Sequence, residues 1–216
     1  MKVLSISKKD DNNVVVHLDN GEKLFLSYEV LLKNGLKKND EISEDRFSFL
    51  VGQNQLYFIK QRAARYLARR LHSVNELKIK LRQKGYENTL IDEVISDLRS
   101  KNYLNDYEFA SQYADENIRN KSWGENKLKA ELIKKGVPGS VISRVLEEKI
   151  SSGEEETEAA IALAVKKLKV LSSRSLEPRK LKEKLISFLL SKGYSYDAAS
   201  RAVSNVLKND DELFYE

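Results

Sequence analysis

The chain has 216 residues, 41% hydrophobic and 33% charged, a length that accommodates one large or two small domains. It contains no cysteine, which excludes disulfides, thiolate catalysis and cysteine-held metal. No run approaches the roughly eighteen apolar residues of a membrane span, and the start does not read as a signal peptide, so a cytoplasmic location is expected.

The net charge of +5 is unevenly placed. Residues 1–60 carry nine Lys/Arg and nine Asp/Glu, residues 61–150 eighteen and thirteen, and residues 151–216 eleven of each. The excess over 61–150 points to an anionic partner, nucleic acid or an acidic protein surface.

Residues 1–27 read as strands: VLSIS, NVVVHL and KLFLS, with Asp19-Asn20-Gly21 between the last two. Asn-Gly between strand-like runs is a hairpin signal. Tyr28 to Lys33 reads as a short helix with Gly35 past its end. Ile42 is expected to close the sheet, and Ser43 to cap a helix running through Leu50. A strand-rich module of this size (residues 1–52) is marginal for an independent core and is expected to lean on the helices C-terminal to it.

A further helix is predicted from Gln53 through Leu71. No acidic residue occurs between Lys60 and Asn75, while Arg62, Arg65 and Arg69 fall at i, i+3 and i+7 and Arg70 comes next. Two readings stand side by side: a solvated helix face, or a contact patch for phosphates or carboxylates.

From Ser73 the chain states a frame that it repeats. Leu77, Leu81 and Gly85 recur as Leu128, Leu132 and Gly136 and again as Leu185, Leu189 and Gly193, with a lysine before each glycine. Leucines four apart share one helical face, and the glycine falls where a helix C-terminus takes positive φ. Ser73-Val74-Asn75-Glu76 reads as a capping box. Beyond the glycine, Leu90, Ile91, Val94, Ile95 and Leu98 give a second helical stripe. The glycines are 51 and 57 residues apart, a period of tandem supersecondary units. The fold class is therefore mainly α: three-helix repeats over 53–104, 105–152 and 153–216, behind the N-terminal module.

Tyr103, Leu104 and Phe109 are expected to plug the first junction, and Asp106 to cap the helix after it. Trp123, beside Gly124, reads either as a core wedge or as an exposed stacking face. Lys127, Lys134 and Lys135 extend a basic ridge at i, i+7 and i+8. Glu154, Glu155 and Glu156 suit the first turn of the next helix. The third repeat is the most degenerate, with Pro178 ahead of its frame helix, and the acidic tail from Asp210 ends in Phe214 and Tyr215. A phosphate loop, a paired-histidine metal motif and a G-x-S-x-G elbow are all missing. A His72/Asp106/Ser73 triad can be drawn, but Ser73 is engaged as a cap. A binding protein without cofactor is the default.

The strings LARRLHSVNELKIKLRQKGY, NYLNDYEFA and KSWGENKLKAELIKKGV, in that order and spacing, resemble the RecX family of bacterial recombination regulators. The resemblance is strong over about residues 60–150 and weaker over 151–208. It implies tandem three-helix repeats in an elongated, curved array. It also implies binding to RecA within the RecA–single-stranded-DNA filament, with inhibition of ATP hydrolysis, strand exchange and co-protease activity. Some members also bind DNA directly.

Most positions that match the family motif are caps, core or turns; Arg70 and Lys135 are the two that combine structure with contact. The expected contact residues are Arg62, Arg65, Arg69, Arg70, Lys127, Lys134 and Lys135. The expected form is a monomer without membrane association. The strand-rich residues 1–50 and the acidic aromatic tail depart from the common repeat core. A rival reading is a general DNA-binding helical-repeat protein acting without RecA, although no helix shows a clear Arg/Asn/Gln recognition face.

Overall fold

Alternating apolar and polar residues build an antiparallel sheet first. Its strands are β1 (Val3–Lys8), β2 (Asn13–Leu18) and β3 (Lys23–Ser27), in spatial order β1-β2-β3. The Asn-Gly turn joins β2 to β3, and Gly21 adopts φ +84°. Val14, Val16, Leu18, Leu24 and Leu26 point to one buried face. The computed structural model describes residues 1–150, 153–174 and 176–213. They divide into two units, 1–72 with 77–104, and 73–76 with 105–216.

In the first unit, helix α1 (Tyr28–Lys33) is capped by the Ser27 hydroxyl, and its bounds are those the sequence predicts. Ile42 does not form a strand. The chain there forms one isolated bridge, Lys2–Glu41, and hydrogen bonds along β1: the Val3 amide donates to the Asp40 carbonyl, the Asn39 amide to the Val3 carbonyl and the Ile42 amide to the Met1 carbonyl, so Ile42 is buried in the sheet core. The two helices expected over 43–50 and 53–71 are one, α2 (Glu44–Leu67), capped by Ser43. Gly52 does not break it, because its flanks carry one continuous buried stripe: Leu50, Asn54, Leu56, Ile59 and Ala63. The module leans on this helix. Leu50 joins the sheet core with Phe47, Val51 and Tyr57 against it. Asn54, buried, accepts from the Ser27 amide at 2.8 Å and donates to the Phe25 carbonyl at 2.8 Å.

The C-terminal half of α2 packs on α4 (Asn88–Ser100), which buries Ile91, Val94, Ile95 and Leu98. Between them in sequence lies α3 (Val74–Arg82).

The second unit holds two further helical triplets. One comprises α5 (Asp106–Lys121), α6 (Glu125–Lys134) and α7 (Gly139–Lys149); the other α8 (Gly153–Leu171), α9 (Pro178–Lys192) and α10 (Tyr196–Leu213). In the last triplet Ala160, Ala164, Ala199 and Ala202 let α8 and α10 approach closely. Pro178 is the first residue of α9, where its missing N–H costs nothing. Glu154–Glu156 occupy the first turn of α8, and Glu156 also accepts from the Ser195 amide and hydroxyl. Ser151, Ser152, Ser175, Phe214, Tyr215 and Glu216 lie outside the described residues.

The repeated frame is the structural frame. Leu77, Leu81, Leu128, Leu132, Leu185 and Leu189 are each 0% exposed. Gly85, Gly136 and Gly193 have φ of +82°, +71° and +94°.

The three glycines differ in what surrounds them. A Cβ at Gly85 meets nothing, whereas one at Gly193 would stand 2.3 Å from the Lys127 Cβ and 2.4 Å from its amide nitrogen. In urea unfolding, Gly85→Ala should therefore cost about 1 kcal/mol, for the left-handed backbone alone. Gly193→Ala should cost about 2–4 kcal/mol, because overpacking is added.

Candidate partner-binding surface

The basic ridge of the first unit begins on α2. Arg62 is half-buried at the edge of the Ala63 stripe, and Arg65 is exposed one turn on. The helix ends at Leu67, with Ala68 as its cap, rather than running through Leu71. The reason lies just beyond: Ser73 must cap α3, and His72 is buried, so the intervening residues turn out of the helix. Arg69 consequently sits in the closing turn, its amide bonded to the Tyr66 carbonyl at 3.1 Å. The Arg70 guanidinium donates to the Leu71 carbonyl at 2.7 Å, so part of its hydrogen-bonding capacity is spent on the local backbone.

Charge pairing separates these residues. Lys60, on the same helix, is held by Asp97 at 3.0 Å, and Lys101 holds that carboxylate from the other side at 2.8 Å. Those ammonium groups, Lys101 first, keep the Asp97 carboxyl below its ordinary value. Among the described residues, no carboxylate pairs with Arg62, Arg65 or Arg69. Three guanidinium groups thus keep their donors available to a partner.

The lysines of the second unit are placed differently. The Lys135 ammonium lies 2.9 Å from Glu76 and 4.9 Å from the centre of the Tyr113 ring. Burial, together with the Glu131 and Glu76 carboxylates, pushes the Tyr113 phenol up. Lys134 pairs with Glu131 at 2.8 Å. Lys127 is half-buried against Gly193, its ammonium 5.8 Å from the Trp123 ring. Trp123 packs against the α5–α7 core and carries Lys121 at 4.6 Å, a mixed role between wedge and surface. The ridge read at i, i+7 and i+8 is therefore satisfied largely within its own unit.

Two junctions in this unit share one pattern. The Ser73 hydroxyl accepts from the Glu76 amide at 3.0 Å and donates to the Lys135 carbonyl at 2.6 Å. Fifty-one residues on, the Gly124 amide donates to the Lys192 carbonyl at 2.9 Å, and the Asn126 amide to the Gly193 carbonyl at 3.0 Å. Asn75, the counterpart of Asn126, covers Gly136 so closely that a Cβ there would lie 2.4 Å from its amide nitrogen.

Asp106 does not cap its own helix. Asn105 does, accepting from the Tyr107 amide, while Asp106 accepts from Val74 N–H at 2.9 Å and so caps α3. Leu104 and Phe109 are buried as expected, but Tyr103 is 66% exposed. It leaves the core because Asn102, at φ +57°, reverses the chain before it. Ser73, Asp106 and His72 each hold backbone partners, so the residues of the imagined triad are engaged structurally. Among the described residues no cluster suited to a metal occurs, and no helix is long and apolar enough to cross a membrane.

Comparison with known proteins places this geometry. Residues 60–98, 105–146 and 154–203 match, in chain order, the family models described as the first, second and third three-helix domains of RecX. Regulatory protein RecX of Clostridium perfringens (strain SM101 / Type A) is 32% identical over 209 residues, covering 96% of each chain. That of Clostridium acetobutylicum is 30% identical over 213 residues, covering 99% of this chain and 95% of the relative. A crystal structure of regulatory protein RecX superposes with a TM-score of 0.74 at 22% identity, over 96% of this chain and 98% of the other. RecX from Lactobacillus salivarius gives 0.64 at 24% identity, over 71% and 97%. At these identities the structural likeness speaks for the fold.

Two measurements test the geometry. Ser73→Ala removes a cap and a bond to the next repeat, and should lower stability by about 1–2 kcal/mol in urea unfolding with an unchanged m-value. The lowered pKa of Asp97 means that its contribution is complete above the ordinary value of 3.8 and is lost as pH falls through the lower folded value. An NMR titration of the Asp97 carboxyl should therefore show a midpoint below 3.8, moving up toward it in Lys101→Gln.

Proposed function

We propose, from the premise that this chain belongs to the RecX family of regulatory proteins, that it binds RecA on single-stranded DNA and inhibits it without catalysing a reaction. The observation that carries the reading is the ridge of Arg62, Arg65 and Arg69, basic groups that no carboxylate of the described residues neutralises. Arginine suits such a surface. Its planar fork pairs with carboxylates in bidentate fashion and loses less freedom per bond than lysine does.

In this reading the arginines meet acidic surface on RecA, with Arg70 at the edge of the contact. Lys127, Lys134 and Lys135 belong to the same expected set, but the groups that already hold their ammonium ends make them positioning residues first. A rigid helical repeat that bridges neighbouring RecA protomers makes the rearrangements linked to ATP hydrolysis more costly. Hydrolysis, strand exchange and co-protease activity would fall together, because all three depend on the same filament.

The test is ATP hydrolysis by the cognate RecA on single-stranded DNA, titrated with this protein. Suppression at substoichiometric ratios is expected. Arg62→Glu/Arg65→Glu/Arg69→Glu should need about tenfold more protein or fail altogether, with the difference shrinking at high salt. Full inhibition by the charge-reversed protein would remove the ridge from the mechanism, and no inhibition by the wild type at equimolar protein would overturn the reading.

A further inference from the structure

Helix α8 has two faces with different surroundings. Ala160, Ala164, Leu168 and Leu171 are buried in the core of the last triplet. Glu155, Ala159, Ala162 and Lys166, at i, i+4, i+7 and i+11, share another face, and both of its alanines are exposed. With only methyl groups at its centre, this face leaves a cleft of about 360 Å³ against the end of the preceding triplet. Ile118, Ile150 and Leu163 add apolar lining, and Trp123 and Tyr194 add aromatic lining. All of these residues lie in the second unit. The segments that carry the two rings are tied together by the bonds from the Gly124 and Asn126 amides to the Lys192 and Gly193 carbonyls.

Two polar atoms of this lining are unused. Tyr194 is only 5% exposed, and among the described residues its hydroxyl has no hydrogen-bond partner; nor has the Trp123 indole N–H. Neither atom is sealed off, as an unpartnered polar atom inside a core would be. Phenols and indoles that are largely buried are ordinarily satisfied, so both lack an acceptor. Burial first, and then the Glu156 carboxylate, push the Tyr194 phenol up, which keeps it a donor at neutral pH. The charges of the lining cancel, Lys149 and Lys166 against Glu155 and Glu156. Two of the four are already engaged, Lys149 with Asp115 at 2.8 Å and Glu156 with the Ser195 amide and hydroxyl. The other two, Glu155 and Lys166, stand about 16 Å apart along the helix axis, too far to grip one small zwitterion.

The chemistry of the lining selects the occupant. A concavity of this volume, with apolar and aromatic walls and a few convergent polar groups, is built as small-molecule sites are. Its balanced charges favour neither an anion nor a cation, and its unused donors call for an acceptor oxygen. We propose that the cleft between α8 and the α5–α7 triplet binds a small uncharged aromatic molecule whose carbonyl oxygen accepts from the Tyr194 hydroxyl, with Trp123 as one wall. The assignment rests on the second unit alone and is independent of the RecA contact.

Trp123 is the only tryptophan, so its indole N–H gives a single cross-peak in the nitrogen–proton correlation spectrum of the full chain. Titration with acetophenone, a neutral aromatic ketone, should move that peak to saturation. Ethylbenzene has the same shape without the oxygen and should bind about fivefold more weakly, the worth of one hydrogen bond. Benzoate should also bind more weakly, because the lining offers it no net positive charge. Tyr194→Phe should weaken acetophenone about fivefold and leave ethylbenzene unchanged, a split that a merely structural loss would not produce. Ala159→Phe and Ala162→Phe, at exposed helix positions, should fill the cleft and abolish saturation while circular dichroism shows both proteins folded. A shift that stays linear in acetophenone, or benzoate binding as tight as acetophenone binding, would overturn the proposal. So would a cross-peak that responds to RecA on single-stranded DNA and to none of the three small molecules, since the cleft would then seat a side chain of a protein partner.

Discussion

Each junction of the second unit depends on a carbonyl that a left-handed glycine leaves facing outward. At Gly136 and Gly193 the helix stops, the chain reverses, and the carbonyls of Lys135 and Lys192 take hydrogen bonds from the start of an earlier frame helix. The donor differs, a serine hydroxyl at Ser73 and a backbone amide at Gly124, but the acceptor and its place in the repeat are the same. The absence of a side chain serves two ends at once: the positive φ and the close approach of Asn75 or Lys127. Glycine is thus required at these two sites for packing as well as for conformation.

Electrostatics adds a division of labour. Lys135 is held between Glu76 and the Phe109 and Tyr113 rings, so its charge contributes to the interior of its unit. The α2 arginines Arg62, Arg65 and Arg69 have no such carboxylate partner among the described residues. A cation that the fold does not use keeps its donors for a partner.

Much of this was legible in the sequence, for particular reasons. The paired leucines and their glycines were readable because a helix period and a cap signal coincide three times. The hairpin was readable because Asn-Gly stood between alternating runs. Asp106 reads as the cap of its own helix because Asn105 and Asp106 are both good caps, and only the fold shows that the Asp106 carboxylate faces another helix. The continuity of α2 was hidden by Gly52, a local weakness overridden by the apolar stripe on either side. Tyr103 looked like core because it adjoins Leu104, yet one left-handed asparagine turns it outward. The basic run over residues 166–192 is concealed in the segment total, because acids at both ends of the third repeat cancel its bases.

Asn54 carries a consequence for how the N-terminal module relates to the helices. Its amide occupies a carbonyl and an N–H on the outer side of β3, groups that an open sheet offers to any passing strand. Because the residue that blocks this edge sits midway along α2, the module is not a bead that could be clipped off or exchanged. Cutting the chain before α2 would strip an apolar face from the helix, and cutting within it would bare a sticky edge on the sheet.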